Sequence, residues 1–303
     1  MESRSVPPDP RRYPAMDVGG SHVSVGLADL MAGRLVSGSR FRATVDPSGS
    51  AAEIIGHWAT TARRLGPGQA SWGVAMPGPF DYRRGIGRFA GVGKFSALAG
   101  LDIGAGLAAA IGEGVRIRFS NDADAFAVGE WLAIGEPRPA RLVGITLGTG
   151  VGTGFVHNGL AVTEGETVPP EGSAYRLTID GRPLEQTASS RAVLAAYNRA
   201  CGVDLTSVSA LTERARGGDR TALDIFQGAW RAAARALTPY IAAFGAEVVV
   251  VGGSIAGSWD LVEPALGDGF ASASSGASFE LRRSEDPDQS ALLGAALVAS
   301  QAE

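Results

Sequence analysis

Cysteine, basic charge and long apolar stretches are scarce in this chain of 303 residues. Its single cysteine, Cys201, excludes an internal disulfide and a cysteine-rich metal site. This usage fits a reducing compartment and predicts a cytoplasmic location. No apolar run reaches the roughly 18 residues of a membrane span. The net charge of −4 provides no basic footprint for nucleic acid. We therefore expect neither a membrane nor a nucleic acid as a partner.

Several common catalytic and nucleotide-binding motifs are also absent. The three histidines, His22, His57 and His157, show neither metal-ligand spacing nor a neighbouring nucleophile elbow. The glycine-rich run at 148–154 does not fit G-x-G-x-x-G in any register, and it lies between two predicted strands rather than a strand and a helix. Gly93-Lys94 lacks the first glycine and the Ser/Thr of a P-loop.

Glycine is abundant instead, with 43 residues that are often clustered, as in backbone-lined ligand loops. The length suggests two domains. A strand–glycine turn–strand pattern at 15–27 returns at 141–156, which indicates a duplicated architecture. Further strands are predicted at 35–43, 70–75, 115–119, 247–251 and 278–282, with helices at 50–65, 103–112, 125–134, 189–202, 210–216, 219–244, 259–266 and 290–301.

The segment at 119–125 joins a predicted strand to a predicted helix. Asn121 and Asp122 fall where the strand ends, and ligands of open α/β sheets collect at the carboxyl ends of strands. An acid at this place can take a proton from a substrate hydroxyl. Both residue types are also favoured helix N-caps, so a purely structural role is the alternative.

Three glycine segments accompany this acid. Asp17-Val18-Gly19-Gly20-Ser21 offers a nest of N–H groups for phosphate, and its aspartate can orient Mg²⁺ through water. Gly148-Thr149-Gly150 offers a second nest, and Gly252-Gly253-Ser254 offers bare backbone to a nucleoside. Each segment alone is a common turn, but four such features in this order, in two matching halves, indicate a shared function.

From about residue 15 to 300, the chain resembles the ROK sugar kinases, a family of repressors, open reading frames and kinases. The most specific segments are Asp17-Val18-Gly19-Gly20, Pro77-Gly78-Pro79, Asn121-Asp122-Ala123, Thr146-Leu147-Gly148-Thr149-Gly150, Leu184-Glu185-Gln186-Thr187-Ala188-Ser189, Val251-Gly252-Gly253 and Leu293-Gly294-Ala295-Ala296. The resemblance implies an α/β fold: a two-domain actin-like ATPase (ribonuclease H-like) fold with duplicated mixed β-sheet cores. We expect a mobile tail at 1–14, a small N-terminal domain at 15–119 plus 289–303, and a large C-terminal domain at 120–288. The resemblance also implies that the two domains close on ATP and sugar.

The same resemblance assigns roles to individual residues. Asp122 is implied as the general base, and Asp17 as the residue that serves Mg²⁺ through water. The implied nucleotide-binding residues are Asp17, Gly19, Gly20, Ser21, Gly148, Thr149, Gly150, Gly252, Gly253 and Ser254. The implied acceptor-binding residues are Asn121, Asp122, Glu171, Glu185, Gly78 and Pro79. ATP and Mg²⁺ are the expected cofactors, and a homodimer is the expected assembly.

The chain departs from the family in the sugar pocket. Ala174 follows Glu171 by three residues, at the place where the family has a histidine that contacts sugar and a structural zinc. No cysteine occurs at 175–184, where the family's zinc ligands should follow. We therefore expect Mg²⁺ but no zinc.

The expected activity is ATP-dependent phosphorylation of the primary (6-)hydroxyl of a hexose or amino sugar. The activity is glucokinase-like, with 3-amino-3-deoxyglucose (kanosamine) as one possible acceptor. A C7-cyclitol kinase of a specialised pathway and a non-catalytic sugar-binding relative are alternatives, and polyphosphate is an alternative donor. A sugar-sensing repressor is disfavoured, because about 14 residues before the first predicted strand leave no room for DNA-binding helices.

Overall fold

The computed structural model of the chain describes residues 12–91, 93–273, 276 and 278–301. These residues form two compact units. Unit 1 contains the described residues of Met1–Arg138 and Asp286–Glu303, and unit 2 those of Pro139–Glu285. Most of the tail predicted at 1–14 lies outside the described residues, but residues 12–14 belong to the first strand. The first described strand therefore includes three residues of the predicted tail.

The described strands are β1 (Arg12–Val18), β2 (His22–Asp29), β3 (Arg34–Leu35), β4 (Phe41–Thr44), β5 (Ser71–Met76), β6 (Phe80–Asp81), β7 (Ile86–Gly87), β8 (Arg116–Asn121), β9 (Arg141–Leu147), β10 (Val151–His157), β11 (Leu160–Ala161), β12 (Thr178–Ile179), β13 (Arg182–Pro183), β14 (Val248–Gly252) and β15 (Glu280–Arg283). The helices are α1 (Ala51–Ala62), α2 (Ile103–Ile111), α3 (Asp122–Ala133), α4 (Ser190–Cys201), α5 (Val208–Arg216), α6 (Arg220–Phe244), α7 (Trp259–Ser272) and α8 (Pro287–Ser300). None of the helices in the described ranges is long and apolar enough to cross a membrane.

Unit 1 is built on a mixed sheet in the order β3-β2-β1-β5-β8, with β4 paired to β2. β1 and β2 form an antiparallel hairpin, whereas β1, β5 and β8 run parallel. Because a parallel neighbour requires a crossover, helices α1 and α2 connect these strands. Ser50 starts α1 with a capping box to Glu53, and Asp102 caps α2. The sheet therefore places three strand ends at one edge.

Helix α8 returns to unit 1 and packs closely on both the sheet and α3. A Cβ atom at Gly73 of β5 would overlap the backbone of Ala295 in α8. Gly129 of α3 faces the backbone of Ser290 in the same way. The predicted domain boundaries at 119/120 and 288/289 therefore differ from the observed division, which keeps α3 and the first residues of α8 in unit 1.

Unit 2 repeats the sheet pattern of unit 1. Its sheet has the order β11-β10-β9-β14-β15, with a β9–β10 hairpin followed by the parallel strands β14 and β15. Its core surrounds the buried side chains of Phe155, Tyr197 and Trp230. The predicted duplication of mixed sheets is confirmed.

Some predicted elements are divided or begin elsewhere. The strand predicted at 35–43 is divided into β3 and β4, because a turn closed by the Ser39 N–H and the Val36 carbonyl interrupts it. The helix predicted at 125–134 begins at Asp122, because the side chain of Asn121 caps it. No strand or helix is predicted at 81–100, but this segment contains the short β6–β7 pairing at its start.

Candidate active site

The carboxyl ends of β1, β5 and β8 lie together at one edge of the unit 1 sheet. The register pairs Asp17 with Ala75, and Met76 with Asn121. Such an edge is where open α/β sheets bind ligands. It brings together these predicted site residues: Asp17, Gly78, Pro79, Asn121 and Asp122.

Asn121 has a structural role at this edge. Its Oδ1 accepts hydrogen bonds from the N–H groups of Ala123 (2.9 Å) and Asp124 (3.3 Å), which caps α3. Its Nδ2 donates to the hydroxyl of Tyr82 at 2.9 Å, and this hydroxyl donates to the Met76 carbonyl at 3.1 Å. Asn121 therefore caps α3, and its contact with an acceptor stays a prediction. No sequence pattern marked Tyr82, whose contact with Asn121 spans 39 positions.

Asp122 is the first residue of α3, and its Oδ1 accepts a hydrogen bond from the Ala123 N–H at 3.0 Å. Burial raises the pKa of the Asp122 carboxyl, while the ammonium group of Lys94 and the hydrogen bond from Ala123 act in the opposite direction. A carboxylate with a raised pKa accepts a proton more readily, which is the property that a general base requires.

Two further carboxyls lie near Asp122 and titrate near neutrality. Burial, followed by the charge of Asp122, raises the pKa of Asp17 to about 7. The same two causes raise the pKa of Asp124 to about 7. Three acids thus share a poorly hydrated region, which favours a nearby cation. Sequence reasoning missed Asp124, because residues two positions apart in a helix do not face each other.

A row of polar side chains crosses the sheet on either side of Asp17. The register places Asp17 opposite Ser24 and Ala75, Ser24 opposite Arg42, and Ala75 opposite Ser120. The hydroxyls of Ser24 and Ser120 are buried and have no hydrogen-bond partner among the described residues. Mg²⁺ usually keeps several waters and uses one or two carboxylates. Asp17 with two free hydroxyls in its row therefore fits a hydrated Mg²⁺.

The turn between β1 and β2 contains the predicted residues Gly19, Gly20 and Ser21. The Gly19 N–H donates to the His22 carbonyl at 2.9 Å, and a Cβ atom at Gly19 would lie 2.6 Å from Cε1 of the His22 ring. A Cβ atom at Gly20 would meet no described atom within 4 Å. The turn is thus covered by the imidazole on one side and accessible at Gly20. Burial and the charge of Arg42 lower the pKa of His22, which sequence reasoning had not placed in this site.

Unit 2 brings its two predicted glycine segments together. The Gly148 N–H donates to the Gly150 carbonyl at 3.0 Å, which closes the turn between β9 and β10. Gly253 has a φ of 86°, and a Cβ atom there would overlap the backbone of Leu147. A Cβ atom at Gly148 would lie 3.6 Å from Oγ of Ser254. These bare turns, at the carboxyl ends of the parallel strands β9 and β14, fit the close approach of a nucleotide.

Glu185 contacts the first of these turns directly. Its Oε1 accepts a hydrogen bond from the Val151 N–H at 3.2 Å, and a Cβ atom at Gly150 would overlap this same oxygen. The Ser189 hydroxyl donates to the Glu185 carbonyl at 2.7 Å and caps α4. The predicted acceptor-binding Glu185 and the predicted phosphate-binding turn thus belong to one cluster.

Glu171 is exposed and contacts two neighbours in its own segment. It pairs with Arg176 at 2.6 Å and accepts a hydrogen bond from the Tyr175 hydroxyl at 3.1 Å. Ala174 is fully buried, and its N–H donates to Oγ1 of Thr153 at 2.9 Å. The position that carries a histidine in the family is therefore part of the unit 2 core.

Comparison with known proteins agrees with this arrangement. The model of the ROK family matches residues 13–302. A glucokinase of Thermotoga maritima is 29% identical over 272 residues, which cover 82% of this chain and 83% of the relative. The ROK hexokinase of Thermus thermophilus superimposes with a TM-score of 0.75 at 26% identity, over 96% of this chain and 98% of that chain. A ROK glucokinase of Streptomyces griseus in complex with glucose and AMPPNP superimposes with a TM-score of 0.76 at 22% identity. The superposition covers 96% of this chain and 99% of that chain.

The duplicated sheets with glycine turns at their carboxyl ends define a two-domain α/β protein of the actin-like ATPase fold. The chain belongs to the ROK family.

Proposed function

We propose that this sugar kinase transfers the γ-phosphoryl group of ATP to the primary hydroxyl of a hexose. The observation that carries the proposal is the position of Asp122. Its carboxylate lies at the carboxyl end of β8 and at the N-terminus of α3, with a pKa raised by burial. Phosphoryl transfer leaves the protein mainly to align reactants and neutralise charge, but the hydroxyl proton must still leave. Asp122 would accept that proton on a carboxylate oxygen.

The glycine turns support the assignment of the phosphate-binding and nucleoside-binding residues. Each of the two glycine turns would hold phosphate through backbone N–H groups, as nests do. The residues of these turns are Gly19, Gly20 and Ser21, and Gly148, Thr149 and Gly150. Gly252, Gly253 and Ser254 would contact the nucleoside. Asp17 would hold Mg²⁺ through water, and bound Mg²⁺ supplies neutralisation of phosphate charge.

The acceptor is assigned less directly. The proposed acceptor-binding residues are Asn121, Asp122, Gly78, Pro79, Glu171 and Glu185. The sequence left 3-amino-3-deoxyglucose as one possible acceptor, because carboxylates suit a ligand that supplies hydroxyl or ammonium donors. Glu171 is paired with Arg176, and Glu185 is bonded to the Val151 N–H. A neutral hexose is therefore the better-supported acceptor, and the amino sugar and the C7-cyclitol are tested beside it.

The test is a direct assay of phosphorylation by the purified full chain. ATP or polyphosphate is supplied as donor with glucose, mannose, amino sugars and C7-cyclitols, and the product is located by ³¹P NMR. We expect ATP-dependent formation of a hexose 6-phosphate. Phosphorylation with polyphosphate but not with ATP would identify polyphosphate as the donor. Sugar binding without turnover would identify the non-catalytic alternative and contradict the proposal. The homodimer and the cytoplasmic location stay predictions.

A further inference from the structure

The chain contains a single lysine, Lys94, among its 27 lysine and arginine residues. Arginine supplies the cation in the ion pairs among the described residues, for example Arg42–Asp288 and Arg176–Glu171. Lysine differs from arginine because its ammonium is a compact point charge with three rotatable donors. Lys94 is half-buried, and its ammonium makes no hydrogen bond or ion pair with another described residue. Its donors are therefore available to a ligand.

The backbone around Lys94 is held in an unusual conformation. Gly93 precedes it with a φ of 78°, and Phe95 follows it with a φ of 55°. A bulky residue in the left-handed region is uncommon and requires support from its surroundings. Phe95 has this support, because its side chain is fully buried against Trp58 and its N–H donates to the Pro47 carbonyl at 2.9 Å. The anchored Phe95 fixes where Lys94 leaves the backbone.

A chain of aromatic contacts connects this anchor to the candidate active site. The ring centroids of Phe95 and Phe89 lie 5.6 Å apart, those of Phe89 and Phe80 lie 6.1 Å apart, and those of Phe80 and Tyr82 lie 5.3 Å apart. The Tyr82 hydroxyl in turn accepts the hydrogen bond from Asn121, the residue before Asp122. The residues next to Lys94 and next to the candidate base thus belong to one packed cluster.

The electrostatics of unit 1 associate Lys94 with Asp122. The charge of Lys94 acts on the pKa of Asp122. The charges that act on Asp17 are those of Asp122, Asp288 and Arg42, and the charge that acts on Asp124 is that of Asp122. Because the acceptor hydroxyl would contact Asp122 as the proposed base, an ammonium group whose charge acts on Asp122 is placed to reach the acceptor.

We propose that Lys94 is a specificity-determining residue that binds an oxygen substituent of the acceptor and disfavours an ammonium at that position. The inference rests on the proposed function. A hydroxyl or another oxygen substituent can accept a charge-assisted hydrogen bond from the Lys94 ammonium. An amino group at the same carbon is protonated at neutral pH and would be repelled. The acceptor class is thus a hexose with oxygen at the carbon that faces Lys94.

The first test compares Lys94→Met, Lys94→Arg and the control Arg84→Met. Arg84 lies in the same irregular segment, is exposed, and its charge acts on Asp81 rather than on Asp122. The acceptors are glucose and its 2-amino, 3-amino and 4-amino deoxy analogues. We expect Lys94→Met to raise the KM for glucose about 10- to 100-fold, with the KM for ATP unchanged. For one amino analogue, the KM should rise much less than it does for glucose. Lys94→Arg should retain part of the preference for glucose over that analogue.

The second test uses the uniqueness of the lysine and requires no turnover. Reductive methylation with ¹³C-formaldehyde labels Lys94 and the α-amino group, so the intact protein gives one side-chain signal that is absent from Lys94→Met. We expect glucose to shift this signal in the wild-type protein, whereas a non-hydrolysable ATP analogue alone leaves it in place. A purely structural lysine would show no shift with either ligand.

The outcomes separate this inference from the proposed function. If glucose is phosphorylated but Lys94→Met behaves like Arg84→Met, the inference is overturned and the kinase assignment remains. If no acceptor is bound or phosphorylated by the wild-type protein, the proposed function fails and the inference fails with it. If Lys94→Met does not fold, the wild-type NMR signal decides, because a shift with glucose supports the inference and its absence overturns it.

Discussion

At the scale of single residues, Asp122 is the group on which the proposed chemistry depends. Replacement of Asp122 by asparagine removes the acceptor of the hydroxyl proton but keeps the size of the side chain and the hydrogen bond from Ala123. We expect kcat to fall by roughly 10²–10⁴-fold, as is usual for loss of a general base. Glucose affinity, measured by calorimetry, should change little. The activity of the wild-type protein should rise with pH, because the raised pKa delays ionisation of Asp122.

A variant that keeps the wild-type kcat would leave Asp122 with a structural role alone. The same conclusion would follow if the pH–rate profile lacked an acidic limb. Such a result would leave the N-cap of α3 unchanged, because the Asp124 N–H donates to Asn121 and not to Asp122.

Asp124 is a second residue whose ionisation has a measurable consequence. Its pKa in the folded protein is about 7, compared with an ordinary value near 4 for an unfolded aspartate. The folded state therefore binds the proton more tightly, so its stability contribution is present below about pH 4 and is lost as the pH rises to about 7. We expect Asp124→Asn to increase the free energy of unfolding at pH 8 by about 2 kcal/mol. This figure allows for the stabilisation that is lost when a negative charge is removed from the N-terminus of α3.

Urea unfolding at pH 5, 6.5 and 8 measures this effect. The increase in the free energy of unfolding of the variant should be largest at pH 8 and smallest at pH 5. Asp268→Asn is the control, because Asp268 is exposed and pairs with Arg231 on the surface. Destabilisation of the Asp124 variant at every pH would show that the carboxylate has a favourable partner.

At the scale of elements, the close packing of α3 on α8 is the feature most sensitive to small changes. A Cβ atom at Gly129 would overlap the backbone of Ser290, and neither helix can move without disturbing the sheet beneath α8. Overpacking of this kind costs about 1–3 kcal/mol. We therefore expect Gly129→Ala to lower the free energy of unfolding by at least this amount, as measured by urea titration.

Gly228→Ala provides the matched control for this prediction. Gly228 also lies inside a helix, α6, but a Cβ atom there would meet no described atom within 4 Å. Since alanine is the better helix former, Gly228→Ala should stabilise the protein by about 0.5–1 kcal/mol. Equal effects of the two substitutions would contradict the close approach of α3 and α8.

Local contacts could be predicted from the sequence, whereas contacts between distant residues could not. The hairpins at both glycine turns and the helix start at Ser50 were predictable, because turn and cap chemistry is local. Asn121 was recognised as a possible cap, although the helix was predicted to begin only at residue 125. The hydrogen bond of Tyr82 to Asn121 was not, since 39 positions separate the two residues. The contact of Glu185 with the Gly150 turn crosses a similar distance, and no local pattern contains it.

At the scale of the whole molecule, both units show that the family's sheet arrangement is kept while side chains around it have changed. In unit 1 the residues at the strand ends match the family motifs, from Asp17 to Asp122. In unit 2 the glycine turns match, but the segment after Glu171 does not. Since the fold requires only the sheets and their helices, substrate recognition can diverge in the connecting segments without loss of the architecture.

The segment at 175–184, where the resemblance implies zinc ligands, closes by hydrogen bonds of its own. The strands β12 and β13 pair through a turn in which Asp180 and Gly181 both have positive φ values, of 51° and 75°. The Leu184 N–H donates to the Leu177 carbonyl at 2.8 Å directly behind this hairpin. Within the described ranges, no group of three or more His, Cys, Asp and Glu side chains could hold a metal ion.

These features lead to a prediction about the metal content of the whole protein. A structural zinc requires four nitrogen or sulfur ligands, whereas Cys201 is the single cysteine and the histidine position is the buried Ala174. We expect elemental analysis of the purified chain to show no stoichiometric zinc. A chelator should leave the Tm unchanged but abolish turnover, and Mg²⁺ should restore it. Zinc that survives dialysis at one equivalent, or a chelator-dependent fall in Tm, would show that the hairpin does not replace a metal.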